Sequence, residues 1–263
     1  MRPLAWAMPA LVLWVVMAGC AGTPAIQPPQ AVRSGSMPTG SPKTPSGFRL
    51  PATFVGVLPC ADCPGIRYQL NLWPDGLFFL RTTYLERPVA AGETNMFDEI
   101  GLWSFSADRR TLTLRGSRAA RESFTVVRPD LLRKLDQKGR LIESELNYDL
   151  SRQKNVEPLE PRLLLRGLYS YYADAGRLKE CFTGRTFPVA REQDNRALED
   201  EYLKLQQEPG EWLLANLEAR VVRRPKMEGA GEQPVILVER FIKIRPGETC
   251  ETSTSTLELE QAY

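Results

Sequence analysis

The sequence predicts a mainly β protein in two successive units, with one helix in the second. Three observations carry that expectation. Short runs rich in β-branched and aromatic residues alternate with polar ones at period two, the pattern of half-buried strands. Nineteen glycines and twenty-one prolines are spread along the chain as turn punctuation. One stretch, residues 196–207, spaces its apolar residues as a helix does, and 263 residues leave room for two ordinary domains. The charge balance, 34 Lys and Arg against 32 Asp and Glu, argues against a nucleic-acid partner. No run of like charges marks an anionic membrane patch.

The first 19 residues read as an address. Met1 to Gly19 holds one charge, Arg2, ahead of the apolar run Leu4 to Ala18. That run is short for a membrane span and is followed at once by polar sequence, as in a secretory signal. Met17-Ala18-Gly19-Cys20 resembles a bacterial lipobox, which implies that Cys20 is acylated (palmitate among its chains) and becomes the mature N-terminus. An ordinary signal peptide with a chance cysteine is the bland alternative. Several acyl chains on one residue hold a protein to lipid where one chain binds marginally. Ala21, where aspartate would direct retention, resembles outer-membrane sorting: a lipid-anchored protein facing the periplasm, with surface exposure the other orientation. Residues 20–51, rich in Pro, Ser, Thr and Gly, read as a tether reaching roughly 30 Å as a coil and roughly 90 Å as polyproline.

The first folded unit is expected over 52–150. Thr53 to Leu58 is a strand leading into Pro59-Cys60-Ala61-Asp62-Cys63-Pro64-Gly65. Ile66, Tyr68, Leu70 and Leu72 alternate with polar residues up to the turn Trp73-Pro74-Asp75-Gly76, and Leu77 to Leu85 returns. Hairpins follow at Ile100–Phe105 with Thr111–Arg115 and at Phe124–Arg128 with Leu131–Leu135; Asn147–Leu150 closes the series. Short strands joined by tight turns argue for an up-and-down antiparallel barrel or meander.

Residues 151–161, with Pro158 and Pro161, read as a linker, and 162–250 as the second unit. Leu163–Tyr172 opens it, Arg177–Val189 is a hairpin, and Asp194 or Asn195 caps a helix over 196–207 that buries Leu198, Tyr202 and Leu205. Leu213–Val221 and Val235–Ile244 are strands, and 251–263 is a polar tail. Strands, one helix, then strands is the order of an OB-like barrel. Tyr169, Tyr171 and Tyr172 are expected to pack and hydrogen-bond rather than stack on nucleic acid. Arg223-Arg224 reads as a solvated strand end.

Five cysteines and no histidine restrict the chemistry. The usual acid–base and triad residues are missing, no phosphate-binding glycine loop is present, and the chain is not expected to be an enzyme. In an oxidising compartment Cys181 and Cys250, the two cysteines of the second unit, are expected to form a disulfide. Cys60 and Cys63 leave three readings open. A disulfide here closes a very short loop and stabilises little. A thioredoxin-like thiol site wants the motif at a helix N-terminus, and this one lies between strands. As a metal site, two thiolates without histidine suit Cu(I) far better than zinc; Met96 is a conceivable thioether donor.

Gly56-Val57-Leu58-Pro59-Cys60-Ala61-Asp62-Cys63, then Gly65, a strand, a Pro-Asp-Gly turn and Tyr84-Leu85, resembles the NlpE family of bacterial outer-membrane lipoproteins. Gly101-Leu102-Trp103, Ile142-Glu143-Ser144 and Asn147-Tyr148 extend the resemblance, and Leu165-Arg166-Gly167, Ala173-Asp174-Ala175, Cys181-x-Thr183-Gly184 and Cys250 carry it through the second unit. It implies a lipocalin-like first barrel, an OB-like second one, and copper handling at Cys60 and Cys63. It further implies a sensor of envelope stress, meaning copper, surface adhesion, or failed lipoprotein sorting or disulfide formation. The partners implied are outer-membrane lipid through Cys20, an inner-membrane Cpx-type kinase, and an oxidase acting on Cys181 and Cys250. No cofactor is required, Cu(I) being the candidate ligand. The rivals are a periplasmic thiol oxidoreductase and a lipocalin-like carrier of an apolar ligand.

Overall fold

A computed structural model describes residues 44–87, 94–116 and 121–251. The predicted signal, Cys20, most of the tether and the tail beyond Glu251 lie outside the described residues. Eight antiparallel strands form the first barrel: β1 Ala52–Leu58, β2 Ile66–Leu72, β3 Leu77–Tyr84, β4 Met96–Phe105, β5 Thr111–Gly116, β6 Glu122–Arg128, β7 Leu131–Lys134 and β8 Asp149–Arg152. Each pairs with its neighbour in sequence, and β8 closes on β1 at Phe54↔Arg152 and Val55↔Ser151. Period-two alternation fills the inside with Phe54, Leu70, Phe78, Leu112, Phe124 and Leu132, each 0–1% exposed. This is an up-and-down barrel whose centre is packed with its own side chains.

The second barrel comprises β9 Arg162–Tyr172, β10 Ala175–Glu180, β11 Thr186–Val189, β12 Leu213–Pro225 and β13 Glu232–Arg245, in the order β10-β11-β13-β12-β9. Between β11 and β12 runs α1, Asn195–Leu205. The helix stops before Gln206 and Gln207, which the apolar spacing had included. It buries Leu198 and Tyr202 as the spacing requires, whereas Leu205, the third expected core residue, lies at the helix end and is only partly buried. Asp194 precedes it without a side-chain cap bond; its Oδ2 accepts from Phe241 N at 2.6 Å and pins the helix start to β13 instead.

Two boundaries differ from expectation for a physical reason. The last tether residues fold: Phe48 is 5% exposed, stacks on Phe54 at 5.7 Å and meets Phe105 edge-on at 5.3 Å. Arg152 donates to the carbonyl of Arg49 at 2.8 Å, so an apolar side chain inside a proline-rich segment plugs the barrel end. The linker 151–161 is also ordered. Ser151 and Arg152 complete β8 by pairing with Val55 and Phe54 of β1, while Asn147 caps the strand's start instead of joining it, accepting from Asp149 N at 3.1 Å. Leu159 is buried, and Asn71 ties the segment down.

β3 opens with Leu77, Phe78, Phe79 and Leu80 all buried, so its two faces are both covered there. Phe78 and Leu80 belong to the first barrel's interior. Leu77 and Phe79, with Trp73 and Ile100, belong to a cluster continuous with Leu159, Leu165 and the core of the second barrel. The close approach of β4 needs a residue without a side chain at Gly101, where a Cβ would run into the Arg115 carbonyl and the Phe78 ring. Gly101→Ala is expected to destabilise the first barrel by about 2 kcal/mol, the usual scale of overpacking, read by urea denaturation.

Candidate functional site

The connection between β1 and β2 carries the paired thiols. Leu58 and Ile66 are the last register partners, and Pro59 to Gly65 bulges beyond them. Cys60 and Cys63 are joined as a disulfide, S–S 2.17 Å. Asp62 Oδ1 lies 3.3 Å from Cys60 Sγ and the Gly65 carbonyl 3.3 Å from Cys63 Sγ. In the bridged form neither sulfur has a proton; reduced, each thiol would find an acceptor in place. The two sulfurs and the Asp62 carboxylate lie within 4.8 Å of one another. This set fits Cu(I) only in the reduced state, since thiolates are the soft donors and a disulfide is not. The motif is on no helix terminus, and the charge it carries beside Cys60, Asp62, is negative, both unlike the setting that activates a redox thiol. Register through Leu58, Ile66, Tyr84 and Thr83 puts Met96 at the same barrel end, 42% exposed.

A polar network inside that end escaped the sequence reading. Lys134 Nζ donates to Tyr68 Oη at 2.8 Å and pairs with Glu122 at 3.2 Å, and Tyr68 donates to Glu122 Oε1 at 3.3 Å. Burial first, then the Glu122 charge, pushes the Tyr68 phenol up. The signal was available: Glu122 and Lys134 stand in phase with the buried Phe124 and Leu132, two residues away on their strands.

In the second barrel Cys181 and Cys250 are bridged, S–S 2.08 Å, across 69 positions. The bridge ties the β10–β11 turn to the segment that follows β13. Glu180, 5% exposed, organises the turn: its carboxylate accepts from Phe182 N at 2.8 Å and from Thr183 N and Oγ1, both at 2.6 Å. Arg166 holds the outgoing segment, donating to the Thr249 carbonyl at 2.7 Å, while its own carbonyl accepts from Cys181 N at 3.0 Å.

Arg223 corrects the reading of a solvated strand end. Its side chain is 7% exposed, pairs with Asp75 of the first barrel at 2.9 Å and lies 4.2 Å from the centre of the Trp73 ring. The β2–β3 turn, which sequence could not place against a partner, supplies its desolvated site. Arg224 makes a two-pronged pair with Glu192 on the surface. The three tyrosines divide. Tyr169 is buried edge-on to Tyr202 at 5.3 Å, Tyr171 donates to Asp174 at 3.1 Å, and Tyr172 is 65% exposed.

A polar crevice of about 410 Å³ beside α1 is lined by Arg191, Arg196, Glu192 and Glu199 among others. Its arginines are paired, Arg191 with Glu199 at 4.0 Å and Arg196 with Asp200 at 3.7 Å. Hydrogen bonds from Arg133, Arg224 and Arg240 hold Asp149, Glu192 and Glu218 below the usual carboxylate range. Folding therefore favours their ionised forms. That contribution is present above the ordinary carboxylate pKa and is lost as pH falls through the depressed values. Without histidine no ordinary side chain changes charge between about pH 5 and 8. The thermal midpoint is expected to stay level across that window and to drop below about pH 4.

Comparison with known proteins gives these features a context. The family model described as the NlpE N-terminal domain matches residues 54–145, and that of the NlpE C-terminal OB domain matches 159–251. Lipoprotein NlpE of Escherichia coli K12 is 32% identical over 203 residues, covering 77% of this chain and 82% of the relative. Among solved structures, the Cpx pathway activator NlpE from Escherichia coli is 30% identical over 77% of this chain and 100% of that one, with a TM-score of 0.32. A putative lipoprotein from Shewanella oneidensis is 29% identical over 40% of this chain and 90% of that one, with a TM-score of 0.34. Both barrels match family models in sequence order, and the identity to a named relative runs through most of each chain, so the protein belongs to the NlpE family.

Proposed function

We propose that the protein is a lipid-anchored sensor of the bacterial envelope that reports to a Cpx-type inner-membrane kinase. Cys20 is its acylation site, the outer membrane its residence, and the proline-rich stretch between Cys20 and Phe48 the tether that gives it reach. Membership of the family supports this reading, as do a relative named a lipoprotein and a solved relative described as a Cpx pathway activator. The observation that carries it is the Cys181–Cys250 bridge. It fastens the end of the second barrel, so that barrel's integrity depends on the cell's capacity to form disulfides, and a disulfide-forming oxidase is the second partner. In this role the chain carries a signal and catalyses no reaction.

Copper is the second input. Reduced Cys60 and Cys63 would hold Cu(I) through their thiolates, with the Asp62 carboxylate a weaker, harder neighbour. A Cpx-responsive reporter should be recorded while copper and disulfide-forming capacity are varied separately. Cys181→Ser and Cys250→Ser are expected to raise output without added copper. Cys60→Ser with Cys63→Ser is expected to abolish Cu(I) binding and the copper response alone. Output unmoved by either Cys181→Ser or Cys250→Ser would sink the redox reading. Equal Cu(I) binding by the Cys60/Cys63 double variant would remove the copper assignment. Adhesion and sorting failure are further inputs, tested by the same reporter on surface-grown cells and on a Cys20→Ala chain.

A further inference from the structure

The outer wall of a solvated barrel is ordinarily polar, and part of this one is not. Leu77, Phe79 and Ile100 point away from the first barrel's interior, yet they are 2%, 0% and 3% exposed. With Trp73 at the neighbouring turn they form a contiguous apolar wall, of the kind soluble proteins keep covered. Their cover is the second barrel and the segment leading into it, with which they form one apolar cluster.

Two sets of polar contacts hold the cover, at different places. The first is at the incoming segment. Asn71 binds the backbone of Glu157 and Leu159 at 3.0 and 2.7 Å, and Asp98 accepts from Arg162 N at 2.9 Å. The second is at Asp75. Arg185 donates to its carbonyl at 3.0 Å and Arg223 to its carboxylate at 2.9 Å, with the Arg223 guanidinium also over the Trp73 ring. Arg185 lies in the turn that begins at Cys181. Its N–H is bonded to Thr183 Oγ1, which is bonded to Glu180, and its carbonyl accepts from Glu180 N at 2.8 Å. The same short turn therefore carries one end of the bridge and one of the two guanidinium groups on Asp75.

We propose that the second barrel is a hinged cover: residues 157–162 are the hinge, the Arg185 and Arg223 contacts to Asp75 are the latch, and the Cys181–Cys250 bridge keeps the latch closed. The bridge is absent when it has not been formed, or when a dithiol reductant delivers two electrons and two protons to it and leaves as its own disulfide. Without the bridge the 181–185 turn loses its covalent hold and Arg185 leaves Asp75; Arg223 alone does not keep the edge shut, and the wall of Leu77, Phe79 and Ile100 meets solvent. The hinge contacts involve no cysteine and stay closed. The device belongs to the chain alone and does not depend on which partner reads it.

The test uses the full lipidated chain in phospholipid nanodiscs, with hydroxyl-radical footprinting read by mass spectrometry. In Cys181→Ala/Cys250→Ala, which leaves Cys60 and Cys63 intact, Phe79 and Ile100 are expected to rise from background toward the labelling of the exposed Trp212. Tyr169 and Tyr202, inside the second barrel, are expected to stay silent. Silence at Phe79 and Ile100 would overturn the proposal. So would their labelling only together with Tyr169 and Tyr202, which would mean that the barrel unfolds rather than lifts. Arg185→Gln/Arg223→Gln, with both bridges present, is expected to label the same two residues; no change there would refute the latch.

Discussion

Cys181→Ala/Cys250→Ala is expected to lose about 4 kcal/mol of second-barrel stability, and Cys60→Ala/Cys63→Ala about 2 kcal/mol or less from the first. The difference lies in the unfolded chain. One bridge spans 69 positions and the other 3, so the first removes far more freedom from the denatured ensemble. The folded environments point the same way. Cys60 and Cys63 sit in a connection beyond the β1–β2 ladder, and losing their bridge frees only that connection. Cys250 follows the last strand, and non-covalent hold on its segment comes from contacts such as Arg166 to the Thr249 carbonyl. Hydrogen exchange of β12 and β13 amides is the measurement. A loss of about 4 kcal/mol lowers their protection roughly a thousandfold where exchange requires opening of the whole barrel. Similar losses in the two double variants would show that loop length does not set the order and that the second barrel's end is secured by its own packing.

The strands were legible because a barrel wall imposes period two, and nearly every run from Thr53 to Leu135 obeys it. The exceptions are where the second barrel intrudes. Leu77-Phe78-Phe79-Leu80 reads as a continuous apolar run, which says that both faces are covered but not by what. Arg223 was misplaced for the same reason, since nothing near it in sequence announces Asp75 and Trp73. Phe48 was hidden by composition: one aromatic residue among prolines and serines looks like tether until a barrel end needs a plug. Glu122 and Lys134 are hard to read because charged residues are expected outside, although their phase puts them inside. At the cysteines the sequence leaves staple, redox thiol and metal site open for Cys60 and Cys63; the structure has them bridged, which makes reduction the condition for any copper chemistry.

The hinge offers the second large effect, because its polar groups are buried and shared. Asn71 is fully buried on the outer wall of the first barrel and donates to both Thr53 Oγ1 at 2.8 Å and the Glu157 carbonyl at 3.0 Å. Its own oxygen accepts from Leu159 N, and Thr53 Oγ1 also accepts from Glu157 N at 2.9 Å. Asn71→Leu keeps the volume and removes every partner, leaving the Leu159 N–H without an acceptor and weakening the hold on the Glu157 carbonyl. Each buried group so stranded costs about 1–3 kcal/mol, and the variant is expected to lose about 3 kcal/mol in chemical denaturation. Thr53→Val, nearly isosteric, strands Glu157 N and is expected to lose about 2 kcal/mol. The double variant should lose less than the sum, because Asn71 and Thr53 are each other's partner and serve the same segment. Strict additivity would mean that the two side chains act separately and that residues 157–159 are held by the burial of Leu159 instead. A shortfall of about 1 kcal/mol or more would identify the network as one unit, as a hinge that keeps its place while the opposite edge opens requires.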